Sequence, residues 1–168
     1  MLGRYARWLH TGWPAGTVER LPEVQTDGTT SVPGVRVVGD LTGVPLLKLS
    51  ADSGARAAQA IAAELGPGPR EAEVVDVAVV GAGVGGVAAA LEAKRLGLTF
   101  VVFEAAQPFS TIVNFPRQKP IYTYPTGMTP AGALQVGATV KEALVEELEA
   151  QRVAGAIETV TARIDRLE

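Results

Sequence analysis

The residues whose types and spacing bear on chemistry lie in one stretch, residues 75–104: V-D-V-A-V-V-G-A-G-V-G-G-V-A-A-A-L-E-A-K-R-L-G-L-T-F-V-V-F-E. Gly81-x-Gly83-x-x-Gly86 is the spacing with which a strand turns into a helix around a pyrophosphate. Gly81 permits a sharp turn off the strand, and Gly83 leaves room for phosphates to approach the backbone. Gly86, with Ala90 one helical turn later, lets the helix lie close to the strands. The free N–H groups around Val84 and the helix dipole then hold a diphosphate without a basic side chain. Glu104 closes the second apolar run, where a carboxylate can accept hydrogen bonds from ribose hydroxyls. This is binding chemistry for a dinucleotide with an adenosine ribose. Glu104 is followed by Ala105, Ala106 and Gln107, with no arginine or lysine for a 2′-phosphate, so NADP is disfavoured at this position while FAD and NAD both remain.

A second acid stands in S-V-P-G-V-R-V-V-G-D, residues 31–40, where Gly39 and Asp40 follow a valine-rich run. An aspartate at a strand's carboxyl end, just before a helix, sits where ligands bind in open α/β sheets. An ordinary helix N-cap has the same spacing, and the residues alone leave the two open. No catalytic acid, base or nucleophile can be named. His10 is the single histidine and has no evident partner; a packing or solvent-facing role suits it better. Arg117 and Lys119 are candidates to meet a phosphate or carboxylate, with solvated surface charge as the plainer role.

These residues need elements to position them. Val77 to Val80 reads as a strand buried on both faces of a parallel sheet, and parallel strands are expected near 35–38, 75–80, 98–103 and 159–165. A helix is expected over 46–65 with Leu47, Ala51, Ala55, Ala58 and Ile61 on one face, although Gly54 weakens its middle. Gly66-Pro-Gly-Pro69 is a short stiff linker. It makes 35–80 a strand–helix–strand unit whose right-handed crossover would put both strands in one sheet, with Asp40 and the Gly81 loop at the same edge. Beyond Phe109 the chain is rich in proline and aromatics and reads as a long ordered loop. An amphipathic helix over 140–151 turns Val140, Leu144 and Leu148 inward and Glu142, Glu146, Glu147 and Glu149 to solvent. At the N-terminus, Leu2, Tyr5, Ala6 and Leu9 fall at helical spacing before Pro14, among Trp8 and Trp13, and suit a short helix that covers another surface.

Composition sets the outer bounds. The chain has 168 residues, 47% hydrophobic and 20% charged, with a formal net charge of −3. That suits a globular domain with a real core and gives no electrostatic case for nucleic acid or an anionic membrane. Cysteine is absent, which excludes a disulfide scaffold, a thiolate zinc site and a dithiol redox centre; no metal site is expected. The uncharged apolar stretch of residues 77–91 is broken by glycines and too short for a membrane span. There is no signal-peptide pattern, so a cytoplasmic location is expected.

The run T-S-V-P-G-V-R-V-V-G-D, residues 30–40, resembles the flavin-contacting segment near the C-terminus of thioredoxin-reductase-like flavoproteins. The resemblance implies that Asp40 hydrogen-bonds the ribityl chain of FAD and that the following helix points its N-terminus at the pyrimidine end of the flavin. Gly81, Gly83, Gly86 and Glu104 resemble the same family's FAD-binding motif. Ser110 to Pro116 with Lys119 to Tyr122 is similar to a loop of its bacillithiol-disulfide-reductase-like branch. Two departures stand out: the Gly-Asp segment precedes the glycine motif instead of following it, and the Cys-x-x-Cys of thioredoxin reductase is missing, so reduction of thioredoxin by that dithiol is not supported.

The expectation is therefore an α/β, Rossmann-like FAD/NAD(P)-binding fold with a parallel, incomplete sheet. Residues 1–69 would carry the Gly-Asp segment and its helix, and 70–168 the glycine-rich βαβ unit, both packed as one domain. The expected function is the FAD-binding part of a flavin- and NAD(P)H-dependent oxidoreductase, moving hydride from a nicotinamide to flavin and on to an unknown acceptor. The alternatives are a non-catalytic FAD- or NAD-binding sensor or scaffold, and a simple NAD-dependent dehydrogenase. Cofactor contacts are assigned to Gly39, Asp40, Gly81, Gly83, Val84, Gly86 and Glu104. With a single glycine triplet, the chain is expected to need the rest of a longer protein or a homo-oligomer partner. A small-molecule dinucleotide is the expected ligand.

Overall fold

A computed structural model describes residues 21–68 and 73–166. The proposed N-terminal helix with Trp8, His10 and Trp13, and Pro69 of the linker, lie outside the described residues. The fold is mixed α/β. Helix α1 (Leu47–Leu65) precedes strand β1 (Val77–Val80), helix α2 (Val84–Arg95) and strand β2 (Phe100–Glu104). A single turn, α3 (Ser110–Val113), a long loop, helix α4 (Lys141–Ala154) and a two-residue strand β3 (Val160–Thr161) complete the order. The sheet is fully parallel in the order β1-β2-β3, with Val77 opposite Phe100 and Phe103 opposite Val160. This is a partial Rossmann-like unit, as the strand–glycine loop–helix–strand pattern requires.

The crossover closes tightly. Asp76 and Thr99 bond reciprocally at the start of both strands, the Asp76 N–H donating to Thr99 Oγ1 (2.9 Å) and the Thr99 N–H to Asp76 Oδ2 (2.8 Å). A Cβ at Gly86 would lie 2.0 Å from the Gly81 carbonyl oxygen, so only glycine lets α2 start this close to the turn. A Cβ at Gly54 would lie 2.0 Å from the Gly85 oxygen. Gly54 is thus where α1 presses onto α2, and the weakness expected at that position is offset by close packing. Glu92, 1% exposed on α2, is held by Gln59 of α1 (2.7 Å) and by both nitrogens of the Arg95 fork (2.6 and 3.0 Å). The Arg95 bond is the main cause that holds the Glu92 carboxyl below its ordinary range, with the Gln59 bond adding to it and burial opposing.

The core lies on one face of the sheet, where Val79 and Val102 meet Val87, Ala88 and Ala90 of α2, Leu144 and Leu148 of α4, and Leu134 and Ile157. Parallel register puts Ala78, Val80, Val101, Phe103 and Val160 on the other face. There Val80 is 55% and Val160 48% exposed. The expectation that β1 is buried on both faces is therefore corrected: among the described residues no helix covers the second face.

Residues 35–38 are also corrected. They form no strand of the sheet; Arg36 makes only an isolated antiparallel bridge with Thr29, and the Val37 N–H donates to the Gly28 carbonyl (2.8 Å). Gly39–Thr42 follows as a single 3-10 turn that ends at Gly43, whose φ of 92° is left-handed. The closing strand is shorter than expected, although the Ala162 N–H still donates to the Glu104 carbonyl (3.0 Å). Helix α4 runs to Ala154 with Leu144 and Leu148 buried as expected, whereas Val140 is its extended N-cap and 40% exposed. The acidic residues of α4 are not simply solvated. Glu147 accepts from the N–H groups of Gly137 (2.9 Å) and Ala138 (2.7 Å), and Glu142 from Gln118 (3.1 Å).

Candidate dinucleotide site

Gly39, Asp40, Gly81, Gly83, Val84 and Gly86 line one cleft of about 1410 Å³. One wall is residues 35–38 and the other is β1, so the cleft occupies the space where the sequence suggests a fourth strand. Parallel pairing alternates along a strand. Val77 and Gly81 donate to Thr99 and Phe103 of the β2 side, which turns the backbone groups of Ala78 and Val80 toward the cleft.

Two helix N-termini open here. Helix α2 begins at Val84 with Gly83 as N-cap, and α1 at Leu47 with Leu46 as N-cap; neither has a side-chain cap. The N–H groups of their first turns are the orphan donors that every helix start leaves. Gly81 holds a φ of 98°, a left-handed value that turns the chain from β1 into the loop. A Cβ at Gly81 or Gly83 would meet no heavy atom within 4 Å, so the space above the loop is free for a ligand. Backbone donors, a helix dipole and open space above glycine are what a diphosphate requires, and the residues present fit that group.

The two sequence segments meet through glycine. A Cβ at Gly85 would lie 3.2 Å from the Cα of Gly39, so the Gly-Asp segment is seated on the first turn of α2. The Gly39 N–H donates to Ser53 Oγ (3.0 Å), and Ser50 Oγ donates to Asp40 Oδ1 (2.7 Å) while Asp40 itself stays exposed. Asp40 is not the N-cap of α1. Asp40 lines the cleft, and Ser50 bonds only one of its two carboxylate oxygens. Ser50, Ser53 and Gly85 were not legible as site residues; the S-x-x-S spacing one helical turn inside α1 was the available signal.

Glu104 stands apart from the cleft-lining residues. Its Oε2 accepts from the Ala82 N–H (2.8 Å) and its Oε1 from the Ala106 N–H (2.9 Å). It braces the glycine loop, and each oxygen keeps a lone pair for a ribose hydroxyl. Lys119 lines the cleft beside Phe115, Ile121 and Tyr122, whereas Arg117 does not.

Residues 76–115 match the family model of the FAD binding domain, a span that holds Gly81, Gly83, Val84, Gly86 and Glu104 but not Gly39 or Asp40. No curated protein and no solved structure matches the chain. The matched span supports FAD as the cofactor and a flavoprotein as the coarse assignment.

Proposed function

We propose that the chain is the FAD-binding part of a flavin-dependent oxidoreductase that takes its electrons from NAD(P)H. The observation that carries this reading is the meeting of two uncapped helix N-termini and a glycine turn at one cleft, within and beside the span that matches an FAD binding domain. Gly83, Val84 and Gly86 hold the diphosphate by backbone N–H groups, while Gly81, whose own N–H is bonded to Phe103, makes the turn that presents them. Glu104 accepts from the adenosine ribose while it braces Ala82. Gly39 and Asp40 face the flavin side, where Asp40, oriented by Ser50, accepts from the ribityl chain. When bound, FAD supplies the hydride chemistry, and the protein's part is to place it and exclude competing reactions.

Val35, Val37, Val38 and the valines of β1 give the cleft a largely apolar lining. The resemblance to thioredoxin-reductase-like flavoproteins supports Asp40 in its role, because the same Gly-Asp pair lies at the flavin there. The test is the nucleotide released from the purified protein by heat denaturation. A yellow, fluorescent supernatant is expected; colourless NAD in its place would assign the cleft to a dehydrogenase. Glu104→Gln is expected to weaken FAD by about 1.5–3 kcal/mol, the scale of a charge-assisted bond, and unchanged affinity would remove Glu104 from the site.

A further inference from the structure

Outside the proposed cofactor contacts, residues 119–126 give Ile121 to the core but leave Tyr122 and Tyr124 out of it. The segment is pinned on two sides. The Lys141 N–H donates to the Lys119 carbonyl (3.0 Å), the Ile121 N–H to Thr139 (2.8 Å), and Lys48 Nζ of α1 to the Pro125 carbonyl (3.2 Å). Tyr122 nonetheless stands 72% exposed and Tyr124 55% exposed, their rings stacked at 6.2 Å with 18° between planes. A held backbone that leaves two large rings in water offers a flat apolar surface to something else. Tyr122 lines the cleft, so that surface continues the dinucleotide site.

Lys119 stands in the same wall. Its Nζ lies 3.6 Å from the centre of the Phe115 ring, which holds the ammonium in place and leaves its donors unused. Among the described residues Lys119 forms no ion pair. The other cation of the cleft wall, Arg36, is bonded to Glu64. A diphosphate on backbone N–H groups has no need of Lys119. We propose that the Lys119–Tyr122 corner is the site of the second reactant: an anionic compound with a planar ring, its ring on Tyr122 and its negative charge on Lys119. This rests on the reading of the cleft as an FAD site. Two sources share the chemistry, an aromatic acid and a nicotinamide nucleotide.

The experiment is equilibrium dialysis of the full chain against benzoate and its neutral isostere benzamide, with and without FAD. Benzoate is expected to bind at least about tenfold more tightly, as a charge-assisted bond requires. Lys119→Gln removes that preference, and Tyr122→Ala weakens both ligands about fivefold. FAD affinity stays unchanged in both variants. NADH that displaces benzoate identifies a nicotinamide nucleotide as the source; NADH without effect identifies an aromatic acid. Equal binding of benzoate and benzamide, no binding of either, or loss of FAD affinity in Lys119→Gln overturns the proposal. FAD that fails to bind the unsubstituted chain would overturn the cofactor reading instead, and the dialysis without FAD reports on the corner independently.

Discussion

Residues 77–81 and 35–39 are built alike, a short run dominated by valine that ends on glycine and leads into a helical turn, and they finish in different states. The first is ladder-bonded to β2 over its whole length. The second spends its outward backbone groups on Gly28 and Thr29 and faces β1 across the cleft. An apolar run makes a strand possible, but pairing needs a partner within about 4.8 Å. For β1 that partner is delivered by α2, which returns the chain against the sheet because Gly86 lets it start in contact with the Gly81 carbonyl. For residues 35–38 the local turn wins, and the unpaired edge of β1 becomes a wall of the site.

Substitutions that act on one region and spare the other sharpen this contrast. Gly86→Val should have the largest effect, about 3 kcal/mol or more, because the new side chain meets the Gly81 oxygen and Val79 at once. A drop in the urea midpoint measures it; a midpoint close to wild type would mean that α2 does not need this approach.

Glu92→Gln acts on the seam between α1 and α2 and should cost about 1.5–3 kcal/mol, since the buried carboxylate there accepts from Arg95 and Gln59. The sign with pH follows from its lowered folded pKa. The contribution is fully present above the ordinary carboxylate pKa and is lost as pH falls through the lower folded value. The stability gap between wild type and variant should therefore be largest at neutral pH and shrink below about pH 4. A gap that grows with acid would reverse this account.

Val102→Ala, in the core beside β1, should cost about 2 kcal/mol, and Val37→Ala, half-buried in the unpaired run, under about 1 kcal/mol. Equal losses would mean that residues 35–38 are as firmly built as the sheet. Asp40→Asn should be smallest in stability, under about 0.5 kcal/mol for an exposed group, while FAD affinity falls; a change in stability without a change in affinity would make Asp40 a structural residue only.

What was legible in the sequence was local. Gly81, Gly83 and Gly86 announce their turn because each answers a steric demand within six residues, and α1 and α4 follow from the spacing of Leu47, Ala51, Leu144 and Leu148. What was not legible depends on distant neighbours. Nothing in V-A-V-V says that Ala78 and Val80 would lack a covering layer. Gly54 looks like a helix defect until Gly85 is placed against it, and Glu147 looks solvated until the Gly137 and Ala138 N–H groups arrive. Asp40 and the glycine loop do share a cleft as expected, but through contact of Gly39 with Gly85 and not through a shared sheet edge.

The central claim is that the glycine loop holds FAD by its backbone, and Gly83→Val tests it most directly. Gly83 has extended φ and ψ of −72° and −175°, and a Cβ there meets no protein atom within 4 Å. The variant should therefore fold with wild-type stability and fill only the space meant for the diphosphate. In a titration followed by flavin fluorescence, the wild-type chain is predicted to bind FAD and the variant to lose it while keeping its urea midpoint. A folded Gly83→Val chain that binds FAD as tightly as wild type would contradict the account.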